Sequence, residues 1–294
     1  MPFISLPSSP LVPGTSPVEI YYRDEGSGPP LVLLHGGWGY GLNPFNYQIA
    51  KLRDEFRVIG PDRSGYGRST HLGEHQELSA DFHYRAASET LAFLDALGIE
   101  RASFWAHSDG AVVAAIIGFT APERASGLVL EAFHYYRFKP RSREFFERLV
   151  ANPEALGPEL CGRFALEFGA ADWRQLISSH AKAWMQMAAE SGDPNVGAFR
   201  DPYAGRLREI RSPTLVIHGK LDPRTEPGEL EALSRQLPNA EMRILDEAAH
   251  SPHSESASAQ MVTQIAREFL LVQQAAIAGG SVEPGAERSE TPGL

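Results

Sequence analysis

Strand-length apolar runs alternate with helix-spaced runs along most of this chain, and that alternation narrows the possible folds more than any other feature. Runs 30–34, 57–60, 102–106, 127–130, 214–218 and 241–245 read as strands, and 18–22 as an edge strand. Segments 43–52, 78–97, 111–118, 227–236 and 257–272 carry helical spacing between or after them. In 78–97 the apolar positions are Phe82, Ala86, Leu91, Leu94 and Leu97, and Gly98 follows as a helix stop. Strands joined through helices require right-handed crossovers, so an α/β fold is expected, with a mostly parallel sheet flanked by helices.

The alternation stops after Glu131 and resumes only at Thr214. Within the gap, Trp173, Leu176, Ile177, His180, Trp184 and Met187 lie at helical spacing behind Asp172, a candidate cap. Residues 133–204 are therefore expected to form a helical cap over the strand ends, with 1–132 and 205–278 as the core and 279–294 as a disordered Gly/Pro/Ser/Glu-rich tail. A chain of 294 residues with 43% hydrophobic content can bury one large core and such an insertion.

Chemistry is concentrated in Trp105-Ala106-His107-Ser108-Asp109-Gly110-Ala111, where a strand runs into a close-packed helix. Ser108 must sit on a sharp turn that lifts its hydroxyl off the sheet and aims the following N–H groups at one spot. Small residues at Ala106 and Gly110 suit the crowding there, although the pattern expects glycine at the first. A serine hydroxyl needs a base and an orienting acid. In open parallel sheets, functional loops follow the carboxyl ends of strands. Of ten histidines, His250 stands in such a loop before the last helix. His253 is its neighbouring rival. His107 leaves the turn in another direction, His218 reads as packed, and His71, His75 and His83 fall in or near a surface loop. Asp222, a few residues past strand 214–218, is the expected acid, with Glu131 the runner-up and Asp246 third. The loop His35-Gly36-Gly37-Trp38-Gly39 lets the backbone approach a substrate oxygen closely. It would supply one oxyanion-hole N–H from Gly37, or alternatively Trp38, and Asp109 would supply the other. Each such donor is worth on the order of 3 kcal/mol.

These motifs, together with Asp62-Arg63-Ser64-Gly65-Tyr66-Gly67-Arg68-Ser69, resemble the α/β-hydrolase fold superfamily from about residue 18 to 271. The resemblance implies an eight-stranded sheet, a triad of Ser108, Asp222 and His250, no cofactor and no metal, and a cap between strands six and seven. It also implies a serine hydrolase acting on small carboxylic esters. Lactonase, carbon–carbon hydrolase, aminopeptidase and perhydrolase or haloperoxidase uses of the triad are alternatives, as is a slow-turnover receptor. Trp38, Asp109, Phe133 and Trp184 are the candidate substrate contacts. The Asp109 carboxylate could meet a substrate ammonium, a protein cation or the cap.

Composition bears on partners. A formal charge of −10 without a basic run argues against nucleic acid and anionic membranes. No apolar run reaches membrane-spanning length, and the first twenty residues hold five prolines and no Lys or Arg, so a cytoplasmic protein with a small-molecule substrate is the expectation. The single cysteine, Cys161, excludes an internal disulfide and is expected as a buried structural thiol. Oligomeric state leaves no trace in the sequence.

Overall fold

A computed structural model describes residues 2–194 and 199–279. The core strands are β1 (Phe3–Leu6), β2 (Val18–Glu25), β3 (Pro30–Leu34), β4 (Arg57–Pro61), β5 (Ala102–His107), β6 (Ala125–Glu131), β7 (Thr214–Gly219) and β8 (Glu241–Leu245). They form one eight-stranded sheet in the order β1-β2-β4-β3-β5-β6-β7-β8. The β1–β2 and β2–β4 pairs are antiparallel, and every pair from β4 to β8 is parallel. The helices are α1 (Asn46–Leu52), α2 (Phe82–Ala96), α3 (Asp109–Thr120), α4 (Pro140–Ala151), α5 (Pro158–Phe168), α6 (Trp173–Ser191), α7 (Glu229–Gln236) and α8 (Ala259–Gly279).

Central strands are apolar on both sides because both faces are covered. Val32, Leu34, Phe104, Ala106, Leu128, Leu130 and Val216 face the core shared with α2 and α3. Leu31, Leu33, Trp105, Val129, Leu215 and Ile217 face the core shared with α1 and α8. The period-2 exchange between two cores is the pleat itself. Helix α3 is buried all round from Asp109 to Phe119, which explains its run of small and branched residues without a polar stripe.

Several expectations need correction. Run 18–22 is not an edge: it belongs to the eight-residue β2, and the unforeseen β1 covers its outer side in register Phe3↔Tyr21 to Leu6↔Val18. Helix α2 starts at Phe82 rather than 78, and α1 at Asn46 rather than 43. Asp172 precedes α6 without capping it through its side chain; the carboxylate instead meets His71 Nδ1 at 3.0 Å. Cys161 is half-exposed on α5, not a buried core thiol. The expected tail lies, beyond Gly279, outside the described residues.

Between β6 and β7 the chain makes α4, α5 and α6, with no strand among the described residues of this insertion. The α6 stripe read from sequence is its buried face: Trp173, Leu176, Ile177, His180, Trp184 and Met187 are all covered. That stripe includes two side chains that reach the carboxyl ends of the central strands.

Candidate active site

At the end of β5, Ser108 adopts φ 54°, ψ −118°, a conformation that costs a non-glycine residue on the order of 1–3 kcal/mol. The strain is sustained because β5 is locked between β3 and β6, and Ser108 N–H donates to the Glu131 carbonyl at 2.8 Å. Gly110 is obligatory here, since a Cβ at that position would stand 2.3 Å from the Leu34 carbonyl oxygen. Ala106 fits where glycine was expected, fully buried in the strand opposite Leu34 and Leu130. The Ser108 side chain makes no capping bond to α3.

It meets His250 instead. His250 Nε2 lies 3.2 Å from Ser108 Oγ, and His250 Nδ1 lies 2.8 Å from Asp222 Oδ2. A carboxylate only accepts, so Nδ1 carries the proton and Nε2 is free to accept the serine hydroxyl. Burial works against a charge on Asp222, but bonds from His134 and His250 outweigh it and hold the carboxyl well below the usual carboxylate range. Burial first, then the Arg224 charge, lowers His250 from 6.5 to about 4 against the pull of Asp222. The structure thus brings together the three residues singled out from sequence.

The rivals are engaged elsewhere. Glu131 accepts from Trp105 Nε1 at 2.9 Å, from the His253 backbone at 3.0 Å and from His253 Nδ1 at 2.7 Å. His253 donates through its other nitrogen to the Asn43 carbonyl at 3.1 Å and stacks on Phe45. His107 Nε2 bonds the His250 carbonyl at 2.9 Å. Together these residues pin the His250 loop from beneath. Asp246 pairs with Lys220 at the surface, and His218 bonds Thr225 Oγ1 at 2.7 Å in a packed position, as expected. The carboxylate and imidazoles of His107/Glu131/His253 approach one another within 4.8 Å, as do those of His134/Asp222/His250. Both nitrogens of His253 and the ring of His250 are already committed to protein partners, so these are hydrogen-bond networks rather than free ligand sets.

Three site residues escaped the sequence reading. His83 is buried at the start of α2, not in a surface loop, and its Nε2 lies 3.0 Å from Asp109 Oδ1. His180 of α6 reaches Asp109 Oδ2 at 2.5 Å. Asp109 is therefore a buried clamp between core and insertion, with each carboxylate oxygen bonded to a histidine. Burial opposes its charge, yet the two histidines keep its carboxyl well below the carboxylate range. His134 is the third: it stacks 5.4 Å from His250 and holds Nε2 3.4 Å from Asp222 Oδ2. Lys139 Nζ donates to His134 Nδ1 at 3.1 Å, which sets its tautomer.

A narrow cavity opens above Ser108, lined by Gly37, Trp38, Asp109, His180, Trp184 and Arg224 among others. The centre of a water-sized sphere is free to move through only about 20 Å³ of it. Gly37 is a close approach: an added Cβ would lie 2.3 Å from His180 Nε2 and 2.4 Å from Asp109 Oδ2. Asp109 is the first residue of α3, so its N–H has no intrahelical acceptor. Trp38 and Trp184, two of the candidate substrate contacts, line the cavity. Phe133 does not; it is fully buried against Tyr203, 5.7 Å between ring centres.

Buried neutral histidines make the fold acid-sensitive. Burial lowers His83 and His218 to about 4 from 6.5. Below pH 6.5 the unfolded chain binds protons that the fold refuses, so stability falls between pH 6.5 and 4 by up to about 1.4 kcal/mol per pH unit for each such residue. Thermal melts by circular dichroism should show Tm several degrees lower at pH 5 than at pH 7. An unchanged Tm would contradict this burial.

A parallel sheet with a serine on a strained strand-to-helix turn, facing a histidine backed by a carboxylate, defines a hydrolase of the α/β class. The chain belongs to the alpha/beta hydrolase family, whose model matches residues 31–264. Among curated relatives, it is 27% identical to a non-heme haloperoxidase of Rhodococcus erythropolis over 72% of this chain and 82% of the relative. It is 29% identical to haloalkane dehalogenase 2 of Mycobacterium tuberculosis over 78% and 87%. It is 26% identical to a bifunctional esterase/perhydrolase of Acinetobacter calcoaceticus over 70% and 79%. Among solved structures, a carboxylesterase of Nitrososphaera gargenis superposes with TM-score 0.71 at 18% identity, covering 94% of this chain and all (100%) of that one. For a thermophilic esterase of Thermogutta terrifontis the values are 0.67 and 22%, covering 93% and 99%. No described helix is long and apolar enough to cross a membrane.

Proposed function

We propose that this protein hydrolyses small carboxylic esters through an acyl-serine intermediate. The supporting observation is the Ser108–His250–Asp222 relay, with contacts of 3.2 and 2.8 Å, beside the cavity that Ser108 lines. His250 takes the Ser108 proton as the hydroxyl oxygen attacks the ester carbonyl. The N–H groups of Gly37 and Asp109 bind the oxyanion. His250 then delivers its proton to the departing alcohol. Water, deprotonated by the same ring, releases the acid and restores Ser108. Asp222 holds the imidazole in the needed tautomer and stabilises its cation.

Relatives named as esterase/perhydrolase and as methyl ester esterases fit this reading. Dehalogenation by displacement needs a carboxylate nucleophile, and Ser108 occupies that position.

A fluorophosphonate probe tests the proposal directly. Stoichiometric labelling at Ser108, found by peptide mass spectrometry and accompanied by loss of aryl-ester turnover, is the expected result. Labelling elsewhere, or turnover surviving complete labelling of Ser108, would refute it.

The pH profile adds a second test. His250 acts as a base only when neutral and titrates at about 4 in the free protein. The acid limb of kcat/KM should therefore fall near pH 4, with a plateau from pH 5 upward. A limb near 6.5, the ordinary imidazole value, would contradict the environment described for this ring.

A further inference from the structure

Arg224 stands two residues after the catalytic acid candidate, in the loop that follows β7. Its backbone is fixed at both ends. The N–H donates to Asp222 Oδ1 at 2.9 Å, and the carbonyl accepts from Lys139 Nζ at 3.1 Å. The half-buried side chain lines the cavity that holds Ser108, with its guanidinium carbon 5.9 Å from the Trp38 ring centre and 5.6 Å from that of Phe145. Through that guanidinium it makes no hydrogen bond or ion pair with any described protein group.

The lysine of this lining, Lys139, is paired with Glu229 at 2.5 Å. Arg224 feels the attraction of the Asp222 and Asp109 carboxylates, yet its guanidinium touches neither, so its side-chain donors meet no described protein acceptor. A guanidinium whose water is partly displaced by two aromatic walls presents a planar fork of donors, and a carboxylate matches that fork in shape and charge.

We propose that Arg224 is a specificity-determining residue that binds a free carboxylate on the substrate, so that the preferred esters are monoesters or lactones carrying a second, ionised carboxyl group. This inference rests on reading the cavity as an ester site.

Two matched substrate pairs test it. The first is 4-nitrophenyl hydrogen glutarate against its methyl-capped diester, which places the carboxylate on the acyl side. The second is 4-acetoxybenzoate against methyl 4-acetoxybenzoate, which places it on the leaving group. In one pair the protein should prefer the anionic member by about tenfold or more in kcat/KM, and Arg224→Gln should bring that ratio toward unity, a loss of about 10- to 100-fold. Arg224→Lys, which keeps the charge without the fork, should recover part of the ratio. Equal treatment of both members in both pairs, or a preference unchanged in Arg224→Gln, overturns the proposal. Ser108→Ala separates the two claims. Turnover lost in Ser108→Ala with a ratio indifferent to Arg224 sinks only the carboxylate site, whereas turnover that survives in Ser108→Ala sinks the ester reading. Calorimetric binding of glutarate and benzoate to Ser108→Ala, with and without Arg224→Gln, reads the anion site without chemistry. At least tenfold weaker binding of one ligand in the double variant supports the site, and equal binding of both overturns it.

Discussion

Ser108→Ala is expected to lower kcat/KM for a simple aryl ester by several orders of magnitude while leaving the fold intact. The expectation follows from what the hydroxyl does and does not do in the structure. It makes no helix-capping bond, so its removal deprives α3 of nothing. It faces His250 Nε2 at 3.2 Å and lines the cavity. Alanine also has a Cβ, so the strained φ of 54° costs about the same in the variant as in the parent. Without the nucleophile, the Gly37 and Asp109 N–H groups can still polarise a carbonyl, and residual catalysis over water of about 10³–10⁴ is the usual remainder in such sites. Stopped-flow or plate kinetics with 4-nitrophenyl acetate, paired with a thermal melt, provide the check. A variant with near-parental kcat/KM and an unchanged Tm would remove Ser108 from the mechanism.

The legible part of this molecule was the part built by periodicity. Both faces of the central strands are buried, so 30–34 and 127–130 appear as unbroken apolar runs and 102–106 as one interrupted by Ser103 alone, and the sharp switch at Ser108 shows where strand gives way to helix. Ser108, Asp222 and His250 could be found because each follows a strand that could be recognised on its own. β1 could not be found this way. It is four residues between prolines, and only its register with β2 makes Phe3–Leu6 a strand. The cap was one of the directions expected for Asp109, but its partners could not be named, for a related reason. His83 and His180 lie 26 and 71 residues from Asp109, and nothing local says that α2 and the inserted α6 will converge on it. Phe133 misled in the opposite direction: it was a candidate substrate contact, but the chain turns it onto Tyr203. Arg224 drew no reading from sequence because its chemistry depends on which neighbours leave its guanidinium without an acceptor, and that is a tertiary property.

Asp222→Asn should reduce kcat by about 10⁴, whereas Glu131→Gln should cost mainly stability. The two carboxylates end adjacent parallel strands or their loops, and sequence offered both as the acid. The structure separates them by partner. Asp222 accepts from His250 Nδ1 at 2.8 Å; Glu131 accepts three bonds, none from His250. An asparagine amide at 222 can present N–H to Nδ1, which favours the tautomer with the proton on Nε2 and blocks the base. It also removes the charge that supports the imidazolium in the transition state. At Glu131, a glutamine in the same position keeps an acceptor for Trp105 or His253 but loses the charge-assisted bonds of a fully buried carboxylate, a cost of about 1–3 kcal/mol. The loss would loosen the loop that His107 and His253 pin beneath His250. Glu131→Gln should therefore lower Tm, with kcat for the folded fraction falling far less than in Asp222→Asn. Measuring kcat, its pH profile and Tm for both variants decides the assignment. If Asp222→Asn were nearly silent and Glu131→Gln abolished turnover at unchanged Tm, the acid would be Glu131, and the 2.8 Å contact would be a structural bond rather than part of a relay.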